Sequence, residues 1–74
     1  MSAYPIYTIE NRVHGYQINE GTTRNAHFLL LDGKMKEFLS AKEAMAFWNE
    51  IKENTTPRDG WKLYKLDKVE VCDL

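Results

Sequence analysis

The chain alternates apolar and polar residues at period two for most of its length and changes to a helical period once, between residues 40 and 53. "YPIYTIENR" (4–12) sets Ile6 and Thr8 against Tyr7 and Ile9, which predicts a strand. Pro5 has no N–H to give to a ladder, so it belongs at the start of that strand or on an edge. "VHGYQINE" (13–20) predicts a shorter strand, with Gly15 as a bulge position. "GTTRN" (21–25) is a polar loop and "AHFLLL" (26–31) a buried strand. Asp32-Gly33 supplies the residue pair that a type I′ hairpin turn prefers, which predicts positive φ at Gly33. "KMKEFL" (34–39) then returns antiparallel. Two registers stay open: a two-residue loop sets Phe28 opposite Glu37, and a longer bulged loop does not.

Ser40 followed by Glu43 forms the capping-box pattern "SAKE", and Leu39 is placed to staple against Ala44. At about 100° per residue, Ala41, Ala44, Met45, Phe47, Trp48 and Ile51 share an arc of roughly 160°. Trp48 lies near its centre and is a core residue; Met45 and Phe47 lie near its edges. Pro57 forbids continuation of the helix, and Asp59-Gly60 suits a turn. "WKLYKLDKVEV" (61–71) reads as one long strand with Trp61, Leu63, Val69 and Val71 on one face. Lys65 and Asp67 interrupt that face and predict a bulge or bend near Asp67. The predicted architecture is α+β. An antiparallel sheet of four to five strands carries one α-helix, about residues 41–53, on one face, in the order β-β-β-β-α-β within a single domain of residues 1–74.

At 74 residues, folding buries about 60% of the unfolded chain's surface, so the core is small. Apolar residues are 43% and charged residues 28%, the profile of an ordinary globular domain. Ten basic against eleven acidic residues leave a formal charge of −1, too little for a long-range field toward nucleic acid or anionic membrane. The single cysteine, Cys72, cannot form an intramolecular disulfide, which fits a reducing compartment. "MSAYPIYTIENR" lacks the basic and apolar regions of a signal peptide, and the longest apolar run is "FLLL". These features predict a cytoplasmic protein.

Catalytic patterns are missing from the sequence. His14, His27 and Cys72 do not stand at a metal-ligand spacing, and Asp73 beside Cys72 disfavours a thiolate nucleophile. "EGTTRN" lacks the Gly-Lys-Ser/Thr ending of a phosphate-binding loop. The expectation is a protein that is not an enzyme and has no cofactor or metal. Two binding chemistries remain. Lys34, Lys36, Lys62 and Lys65, with Tyr64 between the last two, could contact single-stranded nucleic acid from a sheet. Glu37, Asp67 and Glu70 interleave with them, and edge-strand lysines also serve to discourage aggregation. The aromatics are too many for one small core, and tyrosines are enriched at contact hot spots. Tyr4, Tyr7, Tyr16 and Tyr64 are therefore the candidate contacts for a protein partner. In size, compactness and lack of catalytic motifs the chain resembles the small stand-alone proteins of phages and mobile elements that bind and modulate a host protein. That resemblance implies a regulatory protein-binding module, with a homodimer as one form and either an exposed edge strand or an aromatic patch as the docking element.

Overall fold

The computed structural model describes residues 6–23, 33–65 and 69–74. Strand β1 spans Tyr7–Asn11 and β2 Tyr16–Gln17; helix α1 spans Ala41–Ile51; strand β3 spans Trp61–Lys65 and β4 Val69–Asp73. The four strands form one antiparallel sheet in the order β2-β1-β3-β4, with the helix against it, so the fold is a small α+β domain. The predicted strand at 26–31 lies outside the described residues, as do Tyr4, Pro5, Asp32 and Asp67.

The helix begins where its cap predicts. Ser40 is extended, and its hydroxyl oxygen accepts from the Glu43 backbone N–H at 3.1 Å. The staple does not form: Leu39 is 58% exposed. A 3-10 turn, Lys52–Asn54, follows the helix, and the Thr55 hydroxyl closes the end by donating to the Ile51 carbonyl. Ala44, Trp48 and Ile51 are buried, while Met45 and Phe47 are half-buried at the edges of the stripe. The alanine lets the helix approach the sheet. Trp48 then meets Trp61 with ring centroids 5.6 Å apart at a tilted angle, a contact worth about 0.5–1.5 kcal/mol beyond simple burial. Ile9 and Leu63 pair across β1 and β3 and close the same core with Ile18 and Phe38.

Two local expectations do not hold. Residues 61–71 are not one strand. Lys65 pairs with Val69, so the chain reverses between them; β3 and β4 make a hairpin. Val69 and Val71 are exposed and do not join Trp61 and Leu63 in the core. Irregularity does occur, as a register shift between Leu63 and Tyr64 that leaves Val71 as an extra residue in β4. Gly15 is not a bulge residue. It has φ +82 in a tight turn between β1 and β2, which the Gly15 N–H closes by donating to the Asn11 carbonyl at 2.8 Å. Gly33 has the expected positive φ, +110, and residues 34–38 run beside Ile18 and Glu20 and then cross to Tyr7; the pairing expected with 26–31 lies outside the described residues. Lys36 donates to Ile18, Glu20 to Lys34, and Tyr7 and Phe38 exchange both bonds.

Asn11 joins the two ends of this framework. It is fully buried at the end of β1. Its amide donates to the Asp59 carbonyl at 2.7 Å, and its side-chain oxygen accepts from the His14 backbone N–H at 3.0 Å. One side chain thus holds the β1–β2 turn and the loop that enters β3. Gly60, at φ +92, leaves room for it: a Cβ there would stand 2.7 Å from the Asn11 side-chain oxygen.

Two outcomes follow. Gly60→Ala combines left-handed strain of about 1–2 kcal/mol with displacement of Asn11, and Gly15→Ala carries the strain alone because its Cβ meets nothing within 4 Å. Urea denaturation should rank Gly60→Ala as the more destabilised; equal losses would contradict the Asn11 contact. Ser40→Ala should lower stability by about 0.5–2 kcal/mol. An unchanged melting midpoint would contradict the cap.

Candidate interaction surface

The two faces of the sheet carry different chemistry. The face toward α1 holds Ile9, Trp61 and Leu63. The opposite face holds Thr8 and Glu10 from β1 and Lys62 and Tyr64 from β3, because those positions pair directly. Alternation along each strand fixes that division. On this polar face the Glu10 carboxylate accepts from the Thr8 hydroxyl at 3.1 Å and from Arg12 Nε at 3.2 Å. The Arg12 guanidinium stacks 4.2 Å from the centre of the Tyr64 ring. Glu10 and Tyr64 are 6% and 4% exposed, so the centre of the polar face offers little accessible surface.

This places the candidate tyrosines. Tyr64 is buried beneath Arg12 and presents no free ring. Tyr7 and Tyr16 are half-buried and pack against the core; Tyr7 is on the helix side, the opposite face from Tyr64. The described tyrosines do not converge on one patch. Tyr4 lies outside the described residues.

The candidate lysines are separated and mostly engaged. Lys34 and Lys36 follow Gly33 on the β2 side of the sheet. Lys34 Nζ stands 3.9 Å from Glu20, and Lys36 Nζ stands 4.8 Å from the centre of the Phe47 ring, which itself packs on Phe38 at 5.4 Å. Lys62 is on the polar face, with Nζ 3.1 Å from Glu70 and 3.6 Å from Asp73. The hydrogen bond to Glu70, then the charges of Glu70 and Asp73, hold the Lys62 ammonium above its usual pKa. Lys65 ends β3 on the helix-side face and is exposed.

Strand β4 is the element that differs from the rest. Every residue of it is exposed, in contrast to β3, three of whose five residues are buried. It pairs with β3 on one side, and among the described residues no strand pairs with it on the other. The Leu74 N–H donates inward to the Trp61 carbonyl at 2.9 Å. In an antiparallel ladder the neighbouring residue points the other way, so the Asp73 backbone groups face outward. Val69 and Val71 are 59% and 45% exposed, two of the largest apolar side chains left in water. A pocket of about 250 Å³ lies where the strand ends, between Leu74, Trp48, Lys52, Glu53 and Arg58. Neither tyrosine enrichment nor lysine spacing identified this edge. A usable signal was the run Val69-Glu70-Val71, read as an independent strand.

Outside β4, His14 Nε2 meets Asp59 Oδ2 at 3.3 Å across the two loops that Asn11 ties together. The hydrogen bond from His14 is the largest of the effects that hold the Asp59 carboxyl below its usual pKa of 3.8. Among the described residues no group of three His, Cys, Asp or Glu side chains is placed to hold a metal ion, and no helix is long and apolar enough to cross a membrane. Comparison with protein-family models, with curated proteins and with solved structures yields no match.

The Asp59 pair has a defined pH sense. A carboxyl with a depressed folded pKa stabilises the fold above its unfolded value and loses that contribution as pH falls through the folded value. Asp59→Asn should therefore flatten part of the acid limb of stability below 3.8. Urea midpoints measured across the acid range test this; identical acid limbs would show that the pair contributes nothing.

Proposed function

We propose that the protein is a non-enzymatic protein-binding module that takes up an extended segment of its partner along the outer edge of β4. The observation that carries the reading is the exposure of every β4 residue together with an outer side on which, among the described residues, no strand pairs. Edge backbone groups supply affinity to an added strand, and alternate side-chain positions supply selectivity. Exposed Val69 and Val71 add apolar area that a partner would remove from water. Burial of Tyr64 and engagement of Lys62 by two carboxylates favour this edge over an aromatic patch or a nucleic-acid surface built on the lysines. The exposed free thiol of Cys72 supports a reducing, cytoplasmic location. A small module of this kind acts by occupying a strand-pairing site on a host protein, which is a regulatory role.

Cys72 lies within the proposed edge and is the sole cysteine of the chain, so it can carry a photo-crosslinker without further engineering. The probe at Cys72 should capture one dominant polypeptide from host extract. The same probe on Asn49→Cys in a Cys72→Ser background, on the exposed side of α1, should not. Asp73→Pro removes an outward N–H and should abolish capture while the melting transition persists. Equal capture from position 49, or capture indifferent to Asp73→Pro in a folded variant, would overturn the reading.

A further inference from the structure

The chemistry of the β4 edge identifies its occupant. What the edge selects, if β4 is the docking edge proposed above, follows from the faces on which its side chains stand. Tyr64 pairs with Glu70 and Lys62 with Asp73, so both carboxylates stand on the polar face. Lys65 pairs with Val69 and Leu63 with Cys72, so Val69 and Cys72 stand on the helix-side face. The edge is therefore two-sided: apolar toward the helix and acidic away from it. Among the described residues Lys62 is the cation paired with these two carboxylates, and it serves both. Within this trio one positive charge faces two negative ones, and Glu70 and Asp73 are still 54% and 80% exposed.

A second copy of the chain is a poor fit. Antiparallel pairing of β4 with itself continues the polar face of one copy into the polar face of the other. Glu70 and Asp73 would then lie beside their counterparts, and like charges set across from each other in a sheet destabilise the pair. The same charges favour an opposite-sign neighbour. We infer that β4 receives an extended segment of a partner protein in which apolar side chains alternate with lysine or arginine, the apolar set lying beside Val69 and Cys72 and the basic set beside Glu70 and Asp73. Period-two alternation in the occupant matches the two-sided edge, since successive residues of an added strand fall on opposite faces.

Three capped eight-residue peptides test this against the intact protein under reducing conditions: one alternating valine with lysine, one valine with serine and one valine with glutamate. Binding is read by NMR shifts and amide exchange along Glu70–Asp73. The valine–lysine peptide should bind roughly three- to tenfold more tightly than the valine–serine peptide, the range expected of two cross-strand ion pairs. The valine–glutamate peptide should bind more weakly still, and added salt should narrow the difference. Glu70→Gln with Asp73→Asn should erase the ranking; Glu70→Lys with Asp73→Lys should reverse it, with folding checked by the melting transition. Equal binding of all three peptides at β4 would overturn the charge selection and leave the docking edge standing. Failure of every peptide to perturb β4 would overturn the inference, and crosslinking from Cys72 then decides separately whether the edge binds anything. Protection of β4 that rises with protein concentration alone, together with sedimentation as a dimer, would make the second copy the occupant.

Discussion

One helix is narrower than four strands, and much of this molecule follows from that mismatch. An α-helix with its side chains is about 10–12 Å across. Four strands at about 4.8 Å spacing place the outer two roughly 14 Å apart, before side chains are counted. A single helix can therefore seal the centre of such a sheet but not its full width. Here it sits over β1 and β3, where Ile9, Leu63 and Trp61 meet Ala44, Trp48 and Ile51. On the β2 side, residues 34–38 supply Phe38 to extend the core. On the other side Leu74 reaches the core, but β4 itself has all five residues exposed. The functional proposal stands on this geometry rather than on a motif.

A core this small also depends on polar contacts that fix its ends. Asn11 holds two loops with one buried amide, and Trp61 donates its indole N–H to the Pro57 carbonyl. These bonds set where β3 begins and so which of its residues face the helix. Removing either partner would leave a buried donor or acceptor unpaired, which costs more than the bond itself contributes. The polar face works similarly. Glu10 would be expensive to bury as a bare charge, and Thr8 and Arg12 supply its hydrogen bonds. Arg12 also stacks on Tyr64, and the low exposure of Glu10 and Tyr64 contrasts with the exposure of β4.

The parts legible in the sequence were those whose cause is local. The helix start needed only Ser40 and its spacing from Glu43, and the burial of Trp48 needed only the helical period. Positive φ at Gly33 and a turn at Asp59-Gly60 came from the conformational preferences of glycine. For the β3–β4 hairpin the sequence shows only a break near Asp67: Leu66-Asp67-Lys68 carries one turn-favouring residue and neither Gly nor Pro, which suits a bend in one strand as well as a turn between two. Read as one strand, residues 61–71 place Val69 and Val71 on one face with Trp61 and Leu63, which conceals the candidate edge. A tyrosine in an alternating strand suits a surface or a buried setting, and what distinguishes them for Tyr64 is tertiary, including the contact with Arg12 fifty-two positions away in sequence. Asn11 carried a faint signal, an asparagine four residues before a glycine, but its bond to Asp59 is tertiary.

Amide hydrogen exchange in the free protein is the most direct test that β4 is an open edge. The Leu74 amide, bonded inward to Trp61, should exchange slowly, and the Asp73 amide, directed outward, should exchange close to the rate of an unstructured chain. On addition of a partner captured through Cys72, the Asp73 amide should become protected while Leu74 changes little. Slow exchange at Asp73 in the free monomer, with no partner present, would mean that the edge is already covered and would contradict the account.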